Sequence, residues 1–453
     1  MSGEFSIRSL AARLIWALEV SFNKVQRLGL AMLNRRFRSV LLALALVPTT
    51  LEYLWQTLVR PIVFPGNAPI DFFEDYVGSA RLLASGTDPY SACLSRACWT
   101  DLANAWSLYP PVVSWLSLPL VHLDRGVVGA IALLGAELCV ALFVWITARA
   151  LQIRDWQLIA LWALAVMAFP PLIGEVIARN LQVLLLVLSA VWFAGWLAGD
   201  RWWGGLALGA GIALKLAQAP SLLLTMWFRR WRASVAALIA IAVLWLVGAP
   251  QYLVEYLFRI VPGLNTGTGF AMNVAPVGAI ARLFHPGSMY GDGTGIDTTV
   301  RVAGYTISAL VTILTVLVLR SPRADREGRA LEASLVIAAT PLMVAVVRPG
   351  HLLLLLLPMM VLGTFALRRK DWRLGAGVAV SWILIGPIYL SFSNLLAAGV
   401  GAQFVRPGEE TALAGAVVLW LAALITLRRH RVAITQPMAP MQPAAAVAVP
   451  ASR

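Results

Sequence analysis

Four carboxylates and two tyrosines fall within the twenty residues Asp71-Phe-Phe-Glu74-Asp75-Tyr76-Val-Gly-Ser-Ala-Arg81 to Gly86-Thr-Asp88-Pro89-Tyr90. A carboxylate held at the headgroup level of a membrane can act as a general base, taking the proton of an acceptor hydroxyl while a lipid-linked substrate lies in the bilayer beside it. Acids at the water interface cost little, whereas a charge at the bilayer centre costs ~2.5–3.5 kcal/mol, so a solvated loop is the simplest account of Asp71, Glu74, Asp75, Asp88 and Asp101. The frame around them argues otherwise. Ile70, Phe72, Phe73, Tyr76, Val77, Leu82 and Leu83 recur at helical spacing, as in a short helix lying on a membrane surface.

The elements that must position this cluster are membrane spans. The chain is 60% apolar and only 13% charged, with a mean hydropathy of +0.78 over 453 residues, more apolar sequence than a soluble core uses. A net charge of +14 suits nucleic acid only if the cations share a hydrophilic domain, and here they punctuate the apolar runs instead. Arg8, Arg13, Lys24, Arg27, Arg35, Arg36 and Arg38 precede the first run and place the N-terminus in the cytoplasm. Arg229–Arg232, Arg320–Arg329, Arg368–Arg373 and Arg428–Arg431 read as cytoplasmic too, which leaves 59–125, 251–298 and 396–410 outside.

Twelve crossings satisfy that alternation: 39–58, 126–148, 156–171, 181–198, two short ones inside 203–228, then 233–250, 299–320, 331–347, 351–367, 373–395 and 411–428. The stretch 108–122, opened by Pro110 and Pro111, is read as a re-entrant or surface-lying helix, because a crossing there would move Arg149 and Arg154 outside. Residues 1–38 form a cytoplasmic N-terminus whose stretch 5–33 has the pattern of an interfacial amphipathic helix and lacks a small-residue cleavage site. Residues 39–430 form one membrane module, and the Ala- and Pro-rich 431–453 a disordered cytoplasmic tail.

In order along the chain, Asp-Phe, Tyr76, Ala80-Arg81, Gly-x-Asp88-Pro89-Tyr90 and Tyr109-Pro110-Pro111 resemble the first external loop of glycosyltransferase family 87, the polyprenol-phosphate-mannose-dependent enzymes of the GT-C fold. Arg179-Asn180-Leu181-Gln182 is similar to that family's Gly- and Asn/Gln-rich turn, although the usual Gly is replaced by Ala178-Arg179. Gly205 through Lys215-Leu-Ala-Gln-Ala-Pro220 resembles its Gly-rich helix ending in Lys and Pro. Asn273 with Arg282 resembles an Asn box followed by Arg, and Arg348-Pro-Gly-His351 a late His motif. The similarity covers about 45–370.

The resemblance implies an all-α polytopic GT-C enzyme of the inner (plasma) membrane, acting at the external or periplasmic face with both termini cytoplasmic. It implies transfer of a single sugar, mannose first, from a polyprenyl phosphate to a lipid or glycan acceptor, with inversion and an Asp base. Asp71 is the base that position favours, with Asp75 and Glu74 in reserve and His351 beside the leaving group. Lys215, Arg348, Arg179 and Arg81 are candidates for the donor phosphate, because guanidinium and ammonium groups complement phosphate oxygens. Tyr76, Tyr109, Asn180, Gln182, Asn273 and Arg282 are candidates for substrate contact.

Each of these has a structural alternative. Lys215, the only lysine in an apolar segment, can snorkel to the interface; His351 can cap a helix; Arg348 can be a topological outlier; Asn180 and Gln182 can serve a helix start. Tyr76, Tyr90, Trp99, Trp106, Tyr109 and Trp115 can stack on sugar or form an aromatic belt. Glu137, inside a span, needs a polar partner on another helix. No His or Cys pair has metal-ligand spacing, so no metal site is assigned, although a divalent ion bridging Asp71, Asp75 and a phosphate fits hard-oxygen chemistry. Cys93 and Cys98 can form a disulfide in an oxidising compartment, and Cys139 lies in a span. Two other membrane functions fit the composition. A lipid-linked sugar flippase calls for repeated halves, which are missing, and an oligosaccharide ligase for a large late loop.

Overall fold

A computed structural model describes residues 35–64, 71–90, 108–265, 267–270, 272–285, 296–320, 322–397 and 402–435. The amphipathic segment 5–33, Cys93, Cys98, Trp99, Asp101, Trp106 and the tail beyond 435 lie outside them. Five aspartates set where helices begin. Asp124, Asp155, Asp297, Asp325 and Asp371 each accept hydrogen bonds from backbone N–H groups in the first turn that follows, an N-cap contribution of ~1 kcal/mol apiece.

The described chain is helical and contains no strand. A long helix α1 (Ser39–Val63) leads to two short loop helices that run into each other, α2 (Asp71–Gly78) and α3 (Ser79–Ala84), and then to α4 (Pro111–Ser117). The bundle continues through α5 (Arg125–Ala150), α6 (Trp156–Met167), α7 (Pro170–Ile177), α8 (Gln182–Leu197), α9 (Trp202–Leu214), α10 (Ala219–Trp227) and α11 (Trp231–Val247). Its second half comprises α12 (Pro250–Gly263), α13 (Pro276–Phe284), α14 (Thr298–Val318), α15 (Arg326–Met343), α16 (Pro349–Arg369), α17 (Trp372–Phe392) and α18 (Ala402–Thr435).

Six helices among the described residues are long and apolar enough to cross a bilayer, and eight if each bent pair counts as one span. This is a multi-pass membrane protein. The pattern of apolar runs expects twelve crossings; the difference lies in helices such as α8 and α9, which at 1.5 Å per residue extend ~24 Å and ~20 Å against a ~30 Å hydrocarbon core. The segment 203–228 does divide in two, because the helical hydrogen bonding breaks between α9 and α10. The 108–122 stretch forms only a ten-residue helical run, Pro111–Leu120, about 15 Å long.

Both bends have local causes. Pro170 and Pro171 lack the N–H groups that would continue α6, and α7 departs at 63°. Between α11 and α12 the chain turns by 101° at Gly248-Ala249-Pro250. Gly248 lies so close to α4 that a Cβ there would sit 2.6 Å from Val112, and Ala249 takes the left-handed conformation, φ 57°.

The helices also differ in what surrounds them. α16 is 89% buried inside the protein, while α1 is 11% buried and turns its apolar side chains outward. Polar pairs stitch the layers together: Thr57 of α1 donates to Glu137 of α5 at 2.6 Å, and Gln157 of α6 donates to Ser39 of α1 at 2.8 Å. α9 crosses α11 closely. A Cβ on Gly205 would fall 2.1 Å from the Ala233 carbonyl oxygen, and one on Gly209 would fall 2.2 Å from that of Ala237. This small-residue seam lets two backbones touch where no hydrophobic drive acts between helices in lipid. Gly209→Ala is expected to cost about 1–3 kcal/mol by overpacking, read as a lower thermal unfolding temperature in detergent micelles. Unchanged stability would mean that the two helices re-space freely.

The two ends of α5 differ in chemistry. Arg125 at its start stacks on Phe73 of α2, 4.5 Å from the ring centroid. At the other end, some 39 Å away, Arg326 caps the Ala150 carbonyl, Arg368 caps Leu151, and His430 pairs with Asp325. The acids of the first loop and the basic clusters therefore occupy opposite ends of the bundle.

Candidate active site

The break after α9 builds one wall of the site. Lys215 is extended, φ −161° and ψ 126°, and the chain then re-enters helix through a tight turn at Leu216–Gln218 and Pro220. Spacing of three puts Lys215, Gln218 and Ser221 on one face of that turn. They line a cavity of about 260 Å³ together with Asp75, Tyr109, Ser189, Tyr256, Thr340, Arg348 and His351; the rest of the lining is largely apolar, including Ile337, Val344, Val347, Leu354 and Leu355.

The first-loop helix is docked by aromatic and hydroxyl groups. Tyr76 donates to Asn180 Oδ1 at 3.2 Å and accepts from the Leu181 N–H at 3.1 Å, and the same Asn180 oxygen accepts from the Gln182 N–H. The Tyr76 ring meets Tyr109 edge-on at 4.9 Å, and Lys215 Nζ stands 5.1 Å from the Tyr109 ring centroid, within cation–π range. From the outer side Tyr90 donates to the Tyr109 carbonyl at 2.6 Å, and burial pushes the Tyr90 phenol far above its ordinary range, so it stays a neutral donor. Ser114 of α4 donates to Ser79, which in turn donates to the Asp75 carbonyl. Asp75 is thus held through its own backbone and through its neighbour Tyr76.

The opposite wall is fixed by Asn273, which is buried with its amide fully used. Its oxygen accepts from Val347 N–H and Ala275 N–H, and its nitrogen donates to the Ala345 and Thr268 carbonyls. Arg282, with 0% of its side chain exposed, donates to the Phe270 and Asn273 carbonyls and forms a two-point pair with Glu410 of α18 at 2.9 and 3.1 Å. This clamp ends at Arg348, whose N–H donates to His351 Nδ1 at 3.3 Å. With Nδ1 accepting, the proton of a neutral imidazole belongs on Nε2.

Asp75, Tyr109, Lys215, Arg348 and His351 thus meet in one cavity. Tyr76 and Asn180 dock the loop helix, and Asn273 and Arg282 spend their polar atoms on the protein itself. Gln182 is buried, and its amide makes no hydrogen bond among the described residues. Arg179 donates to the Gly129 carbonyl at 3.1 Å and faces the Phe73 ring, and Arg81 is exposed on α3; neither lines the cavity, and neither does Glu74. Asp71 begins α2, and its side chain lies outside the described ones. Arg179 takes φ 53°, so the turn uses the backbone geometry that glycine supplies most cheaply, with an arginine in place. No group of three metal-ligating side chains occurs among the described residues. Ser189, Gln218, Ser221 and Thr340 escape motif reading; the three-residue spacing after Lys215 was the signal available for two of them.

An apolar-walled pocket with two cations, a carboxylate and an imidazole suits a lipid carrying an anionic group. The sequence model of glycosyltransferase family 87 matches residues 107–349, more than half of the chain. The chain belongs to glycosyltransferase family 87. No curated protein matches it. Family membership makes this a membrane glycosyltransferase, and Tyr109, Lys215 and Arg348 fall within the matched interval. His351 lies two residues beyond that interval and the acids of α2 well before it, so their place at the site rests on the geometry above.

Proposed function

We propose that this family 87 protein transfers a single sugar, mannose in the first instance, from a polyprenyl phosphate to a hydroxyl of a lipid or glycan acceptor, with inversion. The observation that carries this reading is the meeting of Asp75, Lys215, Arg348 and His351 in one apolar-walled cavity. Asp75 is the proposed base, because it lines that cavity. Its carboxylate takes the acceptor proton, the acceptor oxygen attacks the anomeric carbon opposite the phosphate, and the bond to the phosphate oxygen breaks with its electron pair leaving on the polyprenyl phosphate. Lys215 and Arg348 stabilise the charge that gathers there, and the His351 Nε2–H donates to the leaving oxygen.

In this reading the helices complete a GT-C arrangement of twelve crossings, with α8, α9 and α10 as short ones. The basic end of the bundle faces the cytoplasm of the inner membrane, and the cavity faces outward, as the excess of arginine at one end supports. The test is incubation of purified protein with a panel of radiolabelled polyprenyl-phosphate sugars and a lipid extract. Label is expected to move from one donor class into extractable glycolipid or glycan. Binding of donors without transfer from any of them would overturn the enzyme in favour of a transporter.

A further inference from the structure

Resting on the reading of the cavity as a donor site, we propose that Ser189, Gln218 and Ser221 form its sugar subsite, with Gln218 as the residue that sets Ser189's hydrogen-bonding direction. All three line the cavity and are buried, at 4%, 4% and 5% exposure. Gln218 Nε2 donates to Ser189 Oγ at 2.6 Å and to the Leu185 carbonyl at 2.9 Å. Both amide hydrogens are thereby used, and the Ser189 oxygen is taken as an acceptor. No described residue takes the Ser189 hydroxyl proton, so Ser189 faces the cavity as a donor. The Ser221 hydroxyl, one helical turn beyond Gln218, makes no hydrogen bond to any described residue and adds a group that can donate or accept.

Buried hydroxyls left over in an apolar cavity need a hydroxylated ligand, because an unmade hydrogen bond there is costly. Lys215 and Arg348 are assigned to the phosphate, and the aliphatic wall of α15 and α16 suits a hydrocarbon chain. Sugar hydroxyls match what remains. The seat of Gln218 is specific. Its Oε1 lies against Gly211, where a Cβ would fall 2.2 Å from that oxygen, so only glycine at 211 leaves room for the amide in this orientation.

The experiment measures kcat/KM for a polyprenyl-phosphate hexose and its singly deoxygenated analogues, using full-length protein in nanodiscs. The native protein is expected to lose roughly ten- to hundredfold on removal of one particular hydroxyl, the one bonded by Ser189, and to show a separate penalty at a second hydroxyl, the one bonded by Ser221. Ser189→Ala, Gln218→Leu and Gly211→Ala should each reduce the first penalty to about twofold, and Ser189→Ala combined with Gln218→Leu should do no more than either alone. Ser221→Ala should erase the penalty at the second hydroxyl. Thermal unfolding of each variant separates this pattern from loss of fold, since misfolding lowers all donors alike. Native transfer with no penalty for any deoxygenated donor would overturn the subsite, as would variants that keep the native penalty profile. Absence of transfer by the native protein from every donor would instead overturn the proposed function.

Discussion

Asp75→Asn is expected to lower sugar transfer by about 10²–10⁴-fold, the range that a positioned general base contributes, and to leave thermal unfolding unchanged. The amide has the shape of the carboxylate but cannot hold the acceptor proton. α2 has anchors besides that charge: Tyr76 through Asn180 and Leu181, the Tyr76–Tyr109 ring contact, and Ser79 on the Asp75 carbonyl. Asp71→Asn, made in parallel, should retain transfer within a few-fold. The reverse pattern, with Asp75→Asn fully active and Asp71→Asn inert, would hand the role of base to Asp71. Donor affinity provides a further check, since Asp75→Asn should bind the polyprenyl phosphate at least as tightly once a negative charge is gone from beside Lys215 and Arg348.

The largest stability effect is expected at Arg282→Met, about 3–5 kcal/mol, the scale of breaking a buried pair from one side. The substitution strands the Asn273 carbonyl and leaves Glu410 without its partner, while the Phe270 carbonyl keeps only the Asn273 N–H. Unfolding in detergent should shift to lower temperature, and Arg282→Met with Glu410→Met should recover part of the loss, since a charge is no longer left without its partner. A loss below about 0.5 kcal/mol would show that α13 and α18 hold together without this pair. Transfer activity should fall as well. Asn273 ties down Ala345 and Val347, and the backbone of the next residue, Arg348, orients His351.

Much of this was legible in the residues. Apolar runs separated by arginines specify a polytopic helical protein, and Lys215, Arg348 and His351 stand out in the sequence because polar groups beside apolar sequence need a reason. The choice between Asp71 and Asp75 was not legible. They are four residues apart in a short amphipathic segment, and the docking of Tyr76 on the 180–182 turn, which local spacing does not reveal, is what sets Asp75 at the cavity. Arg179 shows a second limit. Its guanidinium suits a phosphate, but the structure sets it against the Gly129 carbonyl and the Phe73 ring, away from the cavity lining. Asn273 and Arg282 stand out as polar residues of interest, yet the partners that tie them to other parts of the fold, Ala345, Val347 and Glu410, lie 72 to 128 positions away in sequence, beyond what local spacing can reveal. Helix length was the remaining gap. A run of apolar residues continues across Pro170-Pro171, where the hydrogen-bonded helix does not, whereas the division of 203–228 was legible.

α16 carries a consequence for how the protein is made. Its mean hydropathy of 2.0 is sufficient for it to partition into a membrane unaided, yet 89% of it ends up facing other helices. Hydrocarbon tails are as apolar as leucine, so moving Leu353, Leu357 and Val361 from lipid to protein gains nothing from water exclusion; the enclosed state is held by van der Waals fit and by contacts such as Trp162 Nε1 on Thr364. The greasiness of this helix therefore serves its integration into the bilayer during synthesis, and its shape serves the finished enzyme. Substitutions that keep hydropathy but alter shape should leave insertion intact and trap chains that are correctly threaded through the membrane yet never assemble.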